Sequence, residues 1–462
     1  MKPIAILLIV LVGCFQFTST HAQITLDQTT VDTTTIIGGL DIPWEIIWGP
    51  DDHIWMTERY GRISRVNPVT GVQETLITLS DVRATGESGL LGMVLHPNFI
   101  DTPWVFVAYT YLQGSAIRER ILRLQFSPTA GTLARADTLL EGIPGASTHN
   151  GCRLLITPDR KLIFSTGDAQ NQAAAQNRAS LSGKMLRLNL DGSIPTDNPD
   201  AGSPLWSLGH RNVQGLLLHP NGKIYLSEHG PNTDDEISIL HRNRNYGWPD
   251  VVGPCDAQNE QFFCFTNEVV EPIAWWTPTI APSDLLWYDH PAIPELQNRL
   301  LVSTLKNKRI YSLELDASGD SVISQRQWFN NAFERIRDIC TDGQGNLYVA
   351  TNGQNWSNDS PFTHRIVKIS NPAYVPTSLA PSSQNLAVRI YGNQLSPASR
   401  LVADESVLGA DLRLYDTQGR LVRQLILSAT ELNLGEWTLN GGIYQLVVSK
   451  GAQRSVFRLI AP

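Results

Sequence analysis

Residues 157–166 read TPDRKLIFST and residues 219–228 read HPNGKIYLSE, two stretches with one pattern. In each, turn-forming residues such as Pro, Asp, Asn and Gly precede alternating apolar residues that end at small or acidic ones, as in a β-hairpin. The pattern recurs from residue 49 (GPDDHIWMTE) and residue 341 (TDGQGNLYVAT), and weaker copies begin at residues 96 and 294. One supersecondary unit is therefore repeated along the chain.

The spacing of these six units predicts the fold. They lie about 45 to 80 residues apart, which is the scale of propeller blades with insertions, and no amphipathic helix of useful length is predicted between them. A pair of β-sandwiches would explain the turns but not the recurring motif. We therefore predict an all-β protein in which residues 23–375 form a six-bladed β-propeller.

Residues 1–22 have the pattern of a secretory signal peptide. Lys2 precedes a short apolar core, and Ala22 is the small residue after which we expect cleavage. The segment is too short and wrongly flanked for a membrane-spanning helix. The sequence LVGC ending at Cys14 resembles a lipoprotein cleavage box, so lipidation of Cys14 is an alternative. We expect an exported protein in either case.

The C-terminal part of the chain differs in composition from the propeller region. Residues 376–385 are rich in Pro and Ser and are predicted to be a linker, and residues 386–462 contain short strands typical of a small β-sandwich. The elements LYDTQGRLV and GIYQLVV resemble the C-terminal sorting domain of the type IX secretion system. The resemblance implies that the type IX secretion machinery is a partner and that the protein is secreted or lies at the cell surface.

Charge and cysteine content exclude some classes of function. The formal net charge is −8 without any run of Lys or Arg, so we expect no nucleic-acid partner. Cys255 and Cys264 bracket a polar loop and are expected to form a disulfide in an exported protein. Cys152 and Cys340 lie in apolar strands and are expected to be buried free thiols. No cysteine spacing indicates a zinc site.

Polar side chains recur where predicted strands end, in a chain with few charged residues. These positions are Glu87, His149, Asp168, Arg211 with Asn212, the segment 230–236, Lys306, and Arg335 with Arg337. Each has a structural explanation when taken alone, such as a surface lysine or an arginine paired with a nearby acid. Because strand ends of a propeller meet around its channel, together they predict a cationic pocket for an anion with several carboxylates.

The ordered motifs of the chain resemble those of the soluble quinoprotein glucose/sorbosone dehydrogenase family, especially its aldose sugar dehydrogenase branch. They are GLLGMVLHPNF, HNGCRLLITPDRKLIFSTGD, GHRNVQGL, SEHGPNTDDEI, NYGWPDV, TPTIAPS and RIRDI, within residues 40–370. The resemblance implies a six-bladed propeller that binds pyrroloquinoline quinone and calcium. It also implies an enzyme that oxidises the C1 hydroxyl of an aldose to the lactone and passes electrons to an external acceptor.

The resemblance also implies roles for the polar positions. His149 corresponds to the base that takes the proton of the C1 hydroxyl, and Asp168 to the carboxylate that holds this histidine. Arg211 corresponds to the cation beside the quinone oxygen where negative charge develops. Cofactor contacts are implied for Glu87, Asn212, Lys306, Arg335 and Arg337.

Two calcium sites are implied in the same way. Gly230 and Pro231 correspond to positions whose backbone carbonyls bind the cofactor's calcium, a hard cation that prefers oxygen ligands. Glu236, Tyr246 and Asp256 correspond to a second, structural calcium site near a dimer contact. Whether this chain forms a homodimer is left open.

Three departures from the glucose enzymes argue against specificity for glucose, and the acid at Glu87 fits the broader aldose branch. Glu87 stands where those enzymes have a glutamine, Thr277 where they have a tryptophan, and Cys152 replaces a small residue beside the base. Two other functions stay open from the sequence: a non-catalytic propeller that binds a glycan or a protein, and a calcium-dependent lactonase. The lactonase is the weaker alternative, because its chemistry centres acidic and amide side chains on calcium, whereas this pocket is predicted to be cationic.

Overall fold

The computed structural model describes residues 21–353, 363–375, 386–391, 395–397, 399–416, 420–450 and 453–461. The predicted linker and all but the last two residues of the predicted signal peptide lie outside these ranges. His21–Thr25 forms the first strand, β1. The chain divides into two compact units, one ending at Ala373 and the other beginning at Tyr374.

The first unit contains six antiparallel sheets in chain order, so the predicted six-bladed propeller is confirmed. Blades 1 and 2 are β3–β6 (Pro43–Trp48, Ile54–Glu58, Arg62–Val66, Gln73–Thr78) and β7–β10 (Leu90–Leu95, Trp104–Gln113, Ala116–Ser127, Thr132–Pro144). Blades 3 and 4 are β11–β14 (Gly151–Ile156, Lys161–Thr166, Lys184–Asn189, Leu205–Leu208) and β15–β18 (Val213–Leu218, Ile224–Glu228, Asp235–Ile239, Ala274–Trp276). Blade 5 is β19–β22 (Pro282–Tyr288, Arg299–Thr304, Ile310–Leu315, Val322–Trp328).

The sixth blade is completed by the N-terminal end of the unit. Strands β23–β25 (Arg335–Thr341, Leu347–Asn352, Arg365–Ser370) pair with β2 (Thr30–Gly38), and β2 pairs with β1 at the outer edge. The register joins Thr35 to Val367, so the two ends of the propeller chain close the ring. The sequence pattern did not predict this pairing, because it is a contact between distant segments.

The six repeated motifs occupy the same place in every blade. Each forms the connection between the first and second strands, from the turn after β3 to the turn after β23. The first strands of neighbouring blades contact one another around the ring, so these strands line the central channel. The ends of the first strands opposite the motifs therefore point to a shared face of the propeller.

A buried ion network joins the first strands inside the channel. Arg153 on β11 is 1% exposed and lies 2.7 Å from Glu45 on β3 and 2.8 Å from Asp338 on β23. Its Nε donates to the backbone carbonyl of Gln214 on β15. Burial raises the pKa of Glu45 to about 7. The blades are thus joined by directional polar contacts as well as by the apolar clusters between their sheets.

Two α-helices occur in the described part of the chain, α1 (Gln172–Gln176) and α2 (Gln258–Asn267). The prediction of a polar loop between Cys255 and Cys264 was wrong, because α2 occupies most of this segment. The Gln and Glu residues at the start of α2 favour a helix. The disulfide between Cys255 and Cys264 is confirmed, and Cys152 and Cys340 are buried free thiols as predicted. Among the described residues, no helix is long and apolar enough to cross a membrane.

The second unit contains two sheets around one apolar core. One sheet has the order β26, β27, β30 (Val388–Tyr391, Arg400–Ala403, Glu431–Asn433), and the other has the order β29, β28, β31, β32 (Leu421–Ile426, Asp411–Asp416, Gly442–Lys450, Gln453–Ala461). Leu401 of the first sheet and Leu414 and Leu446 of the second belong to the same buried cluster. This is the packing of a small β-sandwich.

Candidate active site

The predicted site residues meet at the channel face where first strands begin and second strands end. His149 lies two residues before the start of β11, and Arg211 and Asn212 precede β15. Asp168 follows the end of β12, and Arg335 begins β23. Because these strand ends surround one channel, residues distant in sequence are placed side by side.

His149 and Asp168 form a hydrogen-bonded pair. Nδ1 of His149 lies 2.9 Å from Oδ1 of Asp168. The Asp168 side chain is 1% exposed and the His149 side chain is 22% exposed, so the carboxylate is enclosed while the imidazole reaches the surface of the site. The backbone N–H of Gln170 also donates to Oδ1. A buried carboxylate therefore sets the ring orientation of a partly accessible histidine.

A close backbone approach produces this pairing. A Cβ built on Gly167 would lie 1.8 Å from the carbonyl oxygen of His149, so only glycine permits the two loops to pack this closely. His149 itself has a φ of 58°, in the left-handed region that costs a non-glycine residue about 1 kcal/mol or more. The strained backbone is held by the N–H of His149, which donates to Glu87 at 3.1 Å.

Arg211 lies beside the same carboxylate. Its backbone carbonyl accepts from the N–H of Asp168 at 2.8 Å, and its Nη1 donates to the carbonyl of His229 at 3.1 Å. Burial lowers the pKa of Arg211, although the charges of Asp168 and Glu228 oppose this effect. The N–H groups of Arg211 and Asn212 both donate to Glu228, which holds the segment in place.

A cavity of about 150 Å³ lies next to the pair and is lined by Glu87, Gln214, His229, Arg335, Arg337 and Trp44, among others. Arg337 is 2% exposed and donates to Gln214 at 3.0 Å. Burial, with the neighbouring charge of Arg335, lowers the pKa of Arg337 to about 9. Burial likewise lowers the pKa of Arg335. The sequence spacing of the two arginines thus placed both on one pocket wall, as predicted.

Asn212 and Lys306 do not line the cavity themselves but adjoin residues that do. Oδ1 of Asn212 accepts from the N–H of Gly151 and from Gln214, each at 3.1 Å, which links it to the arginine wall. Lys306 is exposed, and its Nζ donates to Thr279 at 2.7 Å. Its neighbour Leu305 lines the cavity, whereas Lys306 does not.

The structure brings together four of the five residues predicted for calcium. Gly230, Pro231, Glu236 and Tyr246 line a second small cavity, whereas Asp256 is exposed and does not line it. The hydroxyl of Tyr246 donates to the carbonyl of Ile239 and accepts from the N–H of His241. In the described part of the chain, no three His, Cys, Asp or Glu side chains are arranged to hold a metal. Any calcium here would depend on backbone carbonyls.

The second cavity is lined by one cationic side chain, that of Arg211, and by the carboxylates of Glu228, Asp234 and Glu236. Glu236 is buried, and burial raises its pKa well above the ordinary value. The charges of Glu228, Asp234 and Asp235 act in the same direction. A bound cation would remove this repulsion, so the donor set fits calcium in charge and in oxygen chemistry.

The first cavity fits the planar, multiply charged quinone that the sequence resemblance implies. Arg337, which is buried, and Arg335, which is partly buried, both line it. Arg211 lines the second cavity instead, and its Nε is buried without a hydrogen-bond partner among the described residues. Such donors need an anion or an acceptor to offset their desolvation.

Sequence reasoning missed several residues of the site. Trp248 donates from Nε1 to Oδ2 of Asp168 at 2.9 Å. Gln214 bridges Arg337 and Asn212, and His229 and Trp44 line the cavity. The signal for Trp248 was present in NYGWPDV, where a tryptophan lies in a short polar segment, but its partner could not be read from the sequence. Thr277, considered for the sugar pocket, instead bonds Asp234.

Comparisons with known proteins identify the family of this chain. The Glucose / Sorbosone dehydrogenase family model matches residues 40–357. Quinoprotein glucose dehydrogenase B of Acinetobacter calcoaceticus is 32% identical over 406 residues, covering 69% of this chain and 85% of that protein. Aldose sugar dehydrogenase YliI of Escherichia coli (strain K12) is 30% identical over 340 residues, covering 70% and 90%. The PQQ-bound form of aldose sugar dehydrogenase from Streptomyces coelicolor has a TM-score of 0.64 at 27% identity, covering 76% of this chain and 98% of that one.

Proposed function

The chain belongs to the Glucose / Sorbosone dehydrogenase family, and on that premise we propose that it oxidises the C1 hydroxyl of aldose sugars to the lactone with pyrroloquinoline quinone and calcium. The observation that carries the proposal is the His149–Asp168 pair beside a cavity lined by two arginines. The pair does not itself line the cavity but adjoins it, through the N–H of His149 bonded to Glu87 and through Asn150. A base next to an anion pocket is what a proton-coupled removal of hydride requires.

His149 serves as the general base. Because Nδ1 faces Asp168, Nε2 is the ring nitrogen that can accept the proton of a substrate hydroxyl. Asp168 favours the tautomer with the proton on Nδ1 and stabilises the imidazolium that forms when Nε2 takes the proton. The carboxylate is enclosed, so its interaction with the ring is little weakened by water.

Arg211 supplies a positive charge that is partly buried. Its side chain is held by the carbonyl of His229, so the guanidinium is preorganised rather than recruited during the reaction. A fixed cation of this kind stabilises negative charge that develops in the transition state. Pyrroloquinoline quinone, when bound, would supply the two-electron acceptor for the hydride of C1.

The arginine wall holds the acidic end of the cofactor. Arg337 is oriented by Gln214, and Arg335 lies beside it on the same face of β23. Lys306, which is exposed and follows the lining residue Leu305, adds a third positive charge. Calcium is proposed at the carbonyls of Gly230 and Pro231, and a second, structural calcium near Glu236, where the surrounding carboxylates favour a cation.

The remaining predictions extend the proposal to the cell. The protein is exported through its signal peptide, residues 386–462 are recognised by the type IX secretion machinery, and the product is secreted or lies at the cell surface. An external acceptor reoxidises the cofactor, and two copies of the chain are candidates for a homodimer. The basic start and apolar core of residues 1–22 support export, and the net charge of −8 supports the absence of a nucleic-acid partner.

A dye-linked dehydrogenase assay on the full chain tests the proposal. The protein is incubated with calcium, with and without pyrroloquinoline quinone, and given a panel of aldoses; His149→Ala is measured in parallel. We expect activity that needs both additions and falls at least about 100-fold in the variant. Quinone binding without oxidation of any sugar would contradict the substrate class. Absence of quinone binding would favour the non-catalytic binding propeller, and lactone hydrolysis the lactonase.

The range of sugars tests the pocket argument. Glu87 accepts from the N–H of His149 and lines the cavity, so it lies where a sugar hydroxyl would reach the base. We expect oxidation of several aldoses rather than of glucose alone, and a changed ranking in Glu87→Gln. A ranking identical to that of the unaltered protein would remove Glu87 from substrate recognition.

A further inference from the structure

Trp248 contacts both of the residues that flank the substrate position. Its Nε1 donates to Oδ2 of Asp168 at 2.9 Å, and the guanidinium carbon of Arg211 lies 5.3 Å from its ring centroid. The side chain is 7% exposed, so both contacts are shielded from water. A single buried ring therefore touches the carboxylate that orients the base and the cation that stabilises charge.

The three residues form a closed arrangement. Asp168 donates its backbone N–H to the carbonyl of Arg211 at 2.8 Å, the indole donates to the Asp168 side chain, and the Arg211 side chain lies over the indole. Each member is thereby fixed by the two others. They come from three separate connections of blades 3 and 4, so no local sequence preference holds them together.

The backbone of Trp248 is anchored as well. Its carbonyl accepts from Nε2 of Gln176 at 2.7 Å, and its N–H donates to the carbonyl of Gly209 at 3.0 Å. Gly209 lies two residues before Arg211 in the chain. The indole is therefore held by the same segment that carries the arginine, and its N–H is aimed at Asp168.

The two carboxylate oxygens of Asp168 accept from different donors. Oδ1 of Asp168 serves His149 and the N–H of Gln170, and Oδ2 serves Trp248. Without the indole N–H, Oδ2 would be a buried acceptor that has lost its hydrogen bond from Trp248. The nearby positive charge of Arg211 would then attract it. Rotation of the carboxylate toward Arg211 would weaken its bond to Nδ1 of His149.

We propose that Trp248 is a positioning residue for the dehydrogenase reaction, which orients Asp168 toward His149 and keeps Asp168 and Arg211 from collapsing onto each other. The inference rests on the proposed function for its kinetic consequence. The geometry predicts that loss of the indole N–H changes the tautomer of His149, whereas loss of the whole ring also moves Arg211.

The test compares Trp248→Phe, which keeps a ring and loses the N–H, with Trp55→Phe. Trp55 is a matched control, because its buried indole also donates to a carboxylate at 2.9 Å, that of Asp51, in a blade turn outside the site. The primary measurement is the His149 tautomer in the full chain without cofactor, by ¹⁵N NMR of the imidazole nitrogens assigned with His149→Gln. We expect Trp248→Phe to shift the population toward the Nε2–H tautomer and Trp55→Phe to leave it unchanged.

Kinetics of the enzyme loaded with quinone and calcium provide the second measurement. For Trp248→Phe we expect kcat to fall about 10- to 100-fold, a larger isotope effect with aldose deuterated at C1, and a quinone Kd within about twofold of the original. Trp248→Leu is expected to weaken quinone binding as well, because it removes the indole ring that packs against the guanidinium of Arg211. A lower melting temperature without the tautomer shift and the fall in kcat would indicate a structural role only and overturn the proposal.

The outcomes separate this inference from the proposed function. An unchanged tautomer in Trp248→Phe overturns the positioning role, whatever the activity. A shifted tautomer in a protein that oxidises no aldose supports the positioning role and rejects the proposed function. If Trp248→Phe does not fold, Gln176→Leu takes its place, because it removes the anchor of the Trp248 carbonyl and is expected to shift the tautomer in the same direction; no shift there overturns the proposal.

Discussion

Oδ1 of Asp168 lies 2.9 Å from Nδ1 of His149 although the two residues are 19 positions apart. One hairpin of blade 3 brings them together: His149 enters it and Asp168 leaves it. The contact defines the tautomer of the ring, and with it the nitrogen that can accept a proton. The first two predictions concern this pair.

Replacing Asp168 with Asn should abolish most activity without unfolding the protein. The amide has the same shape, but its NH₂ group facing Nδ1 would favour the tautomer that lacks an acceptor at Nε2. We expect kcat to fall about 10³-fold, measured in the dye-linked assay. Asp200→Asn, which alters a surface ion pair with Arg178, is the control. Activity within tenfold of the original would contradict the role of Asp168.

Gly167→Ala should displace the loop that carries Asp168. The new Cβ would lie 1.8 Å from the His149 carbonyl oxygen, so one of the two segments must move. We expect a loss of about 1–3 kcal/mol in the free energy of unfolding and at least about a tenfold loss of activity. Gly343→Ala places its Cβ in open space and should change neither. The two variants are compared by chemical denaturation and by the assay.

Arg335 should contribute to quinone affinity rather than to folding. Its guanidinium lines the cavity, and burial lowers its pKa, so an anion there would form a poorly screened interaction. We expect Arg335→Gln to raise the quinone Kd about 10- to 100-fold, measured by calorimetric titration. Arg326→Gln removes an exposed pair with Asp27 and should leave the Kd unchanged. Equal effects in the two variants would refute a specific role for the pocket.

Lys184 should make stability depend on pH. Its Nζ donates to the carbonyls of Ala174, Ala175 and Ser182, and burial lowers its pKa from the ordinary 10.5 to about 7. Between pH 7 and 10.5 the unfolded chain therefore binds one more proton at this position than the folded protein does. The free energy of unfolding should rise with pH over this window relative to Lys184→Met.

Denaturation series at several pH values measure the effect of Lys184. Below pH 7 both states of the unaltered protein carry the proton, so the difference between the two proteins should be constant there. A difference that stays constant up to pH 10 would show that the pKa of Lys184 is not lowered.

The disulfide should stabilise the insertion that contains α2. Cys255 and Cys264 are nine positions apart, and closing a loop of this length contributes about 2–3 kcal/mol. Replacing both with Ser should make residues 255–267 more sensitive to proteolysis, read by mass spectrometry of the fragments. Mild reduction of the unaltered protein should reproduce the effect, because Cys152 and Cys340 are free thiols. Equal cleavage rates would contradict this role.

Several features of the fold could be predicted because they are local. A turn followed by an alternating strand is encoded within about ten residues, so its six copies indicated six blades. Arg335 and Arg337 are two apart on one strand and therefore share a face. The sequence predicted a loop at α2 because the polar and aromatic residues of this segment have no clear apolar period. The helix also contains Cys264, whose disulfide with Cys255 ties it to the preceding segment.

The sequence by itself determined the repeat, the strand ends that carry polar residues, and the family to which the motifs belong. Only the tertiary structure decided that β2 completes the last blade, that Gln214 bridges Asn212 and Arg337, and that the indole of Trp248 reaches Asp168 from 80 positions away. The physical reason is that strand alternation and turn chemistry act over a few residues. Ring closure and the site depend instead on contacts between blades, which exist only once the sheets have packed around the channel.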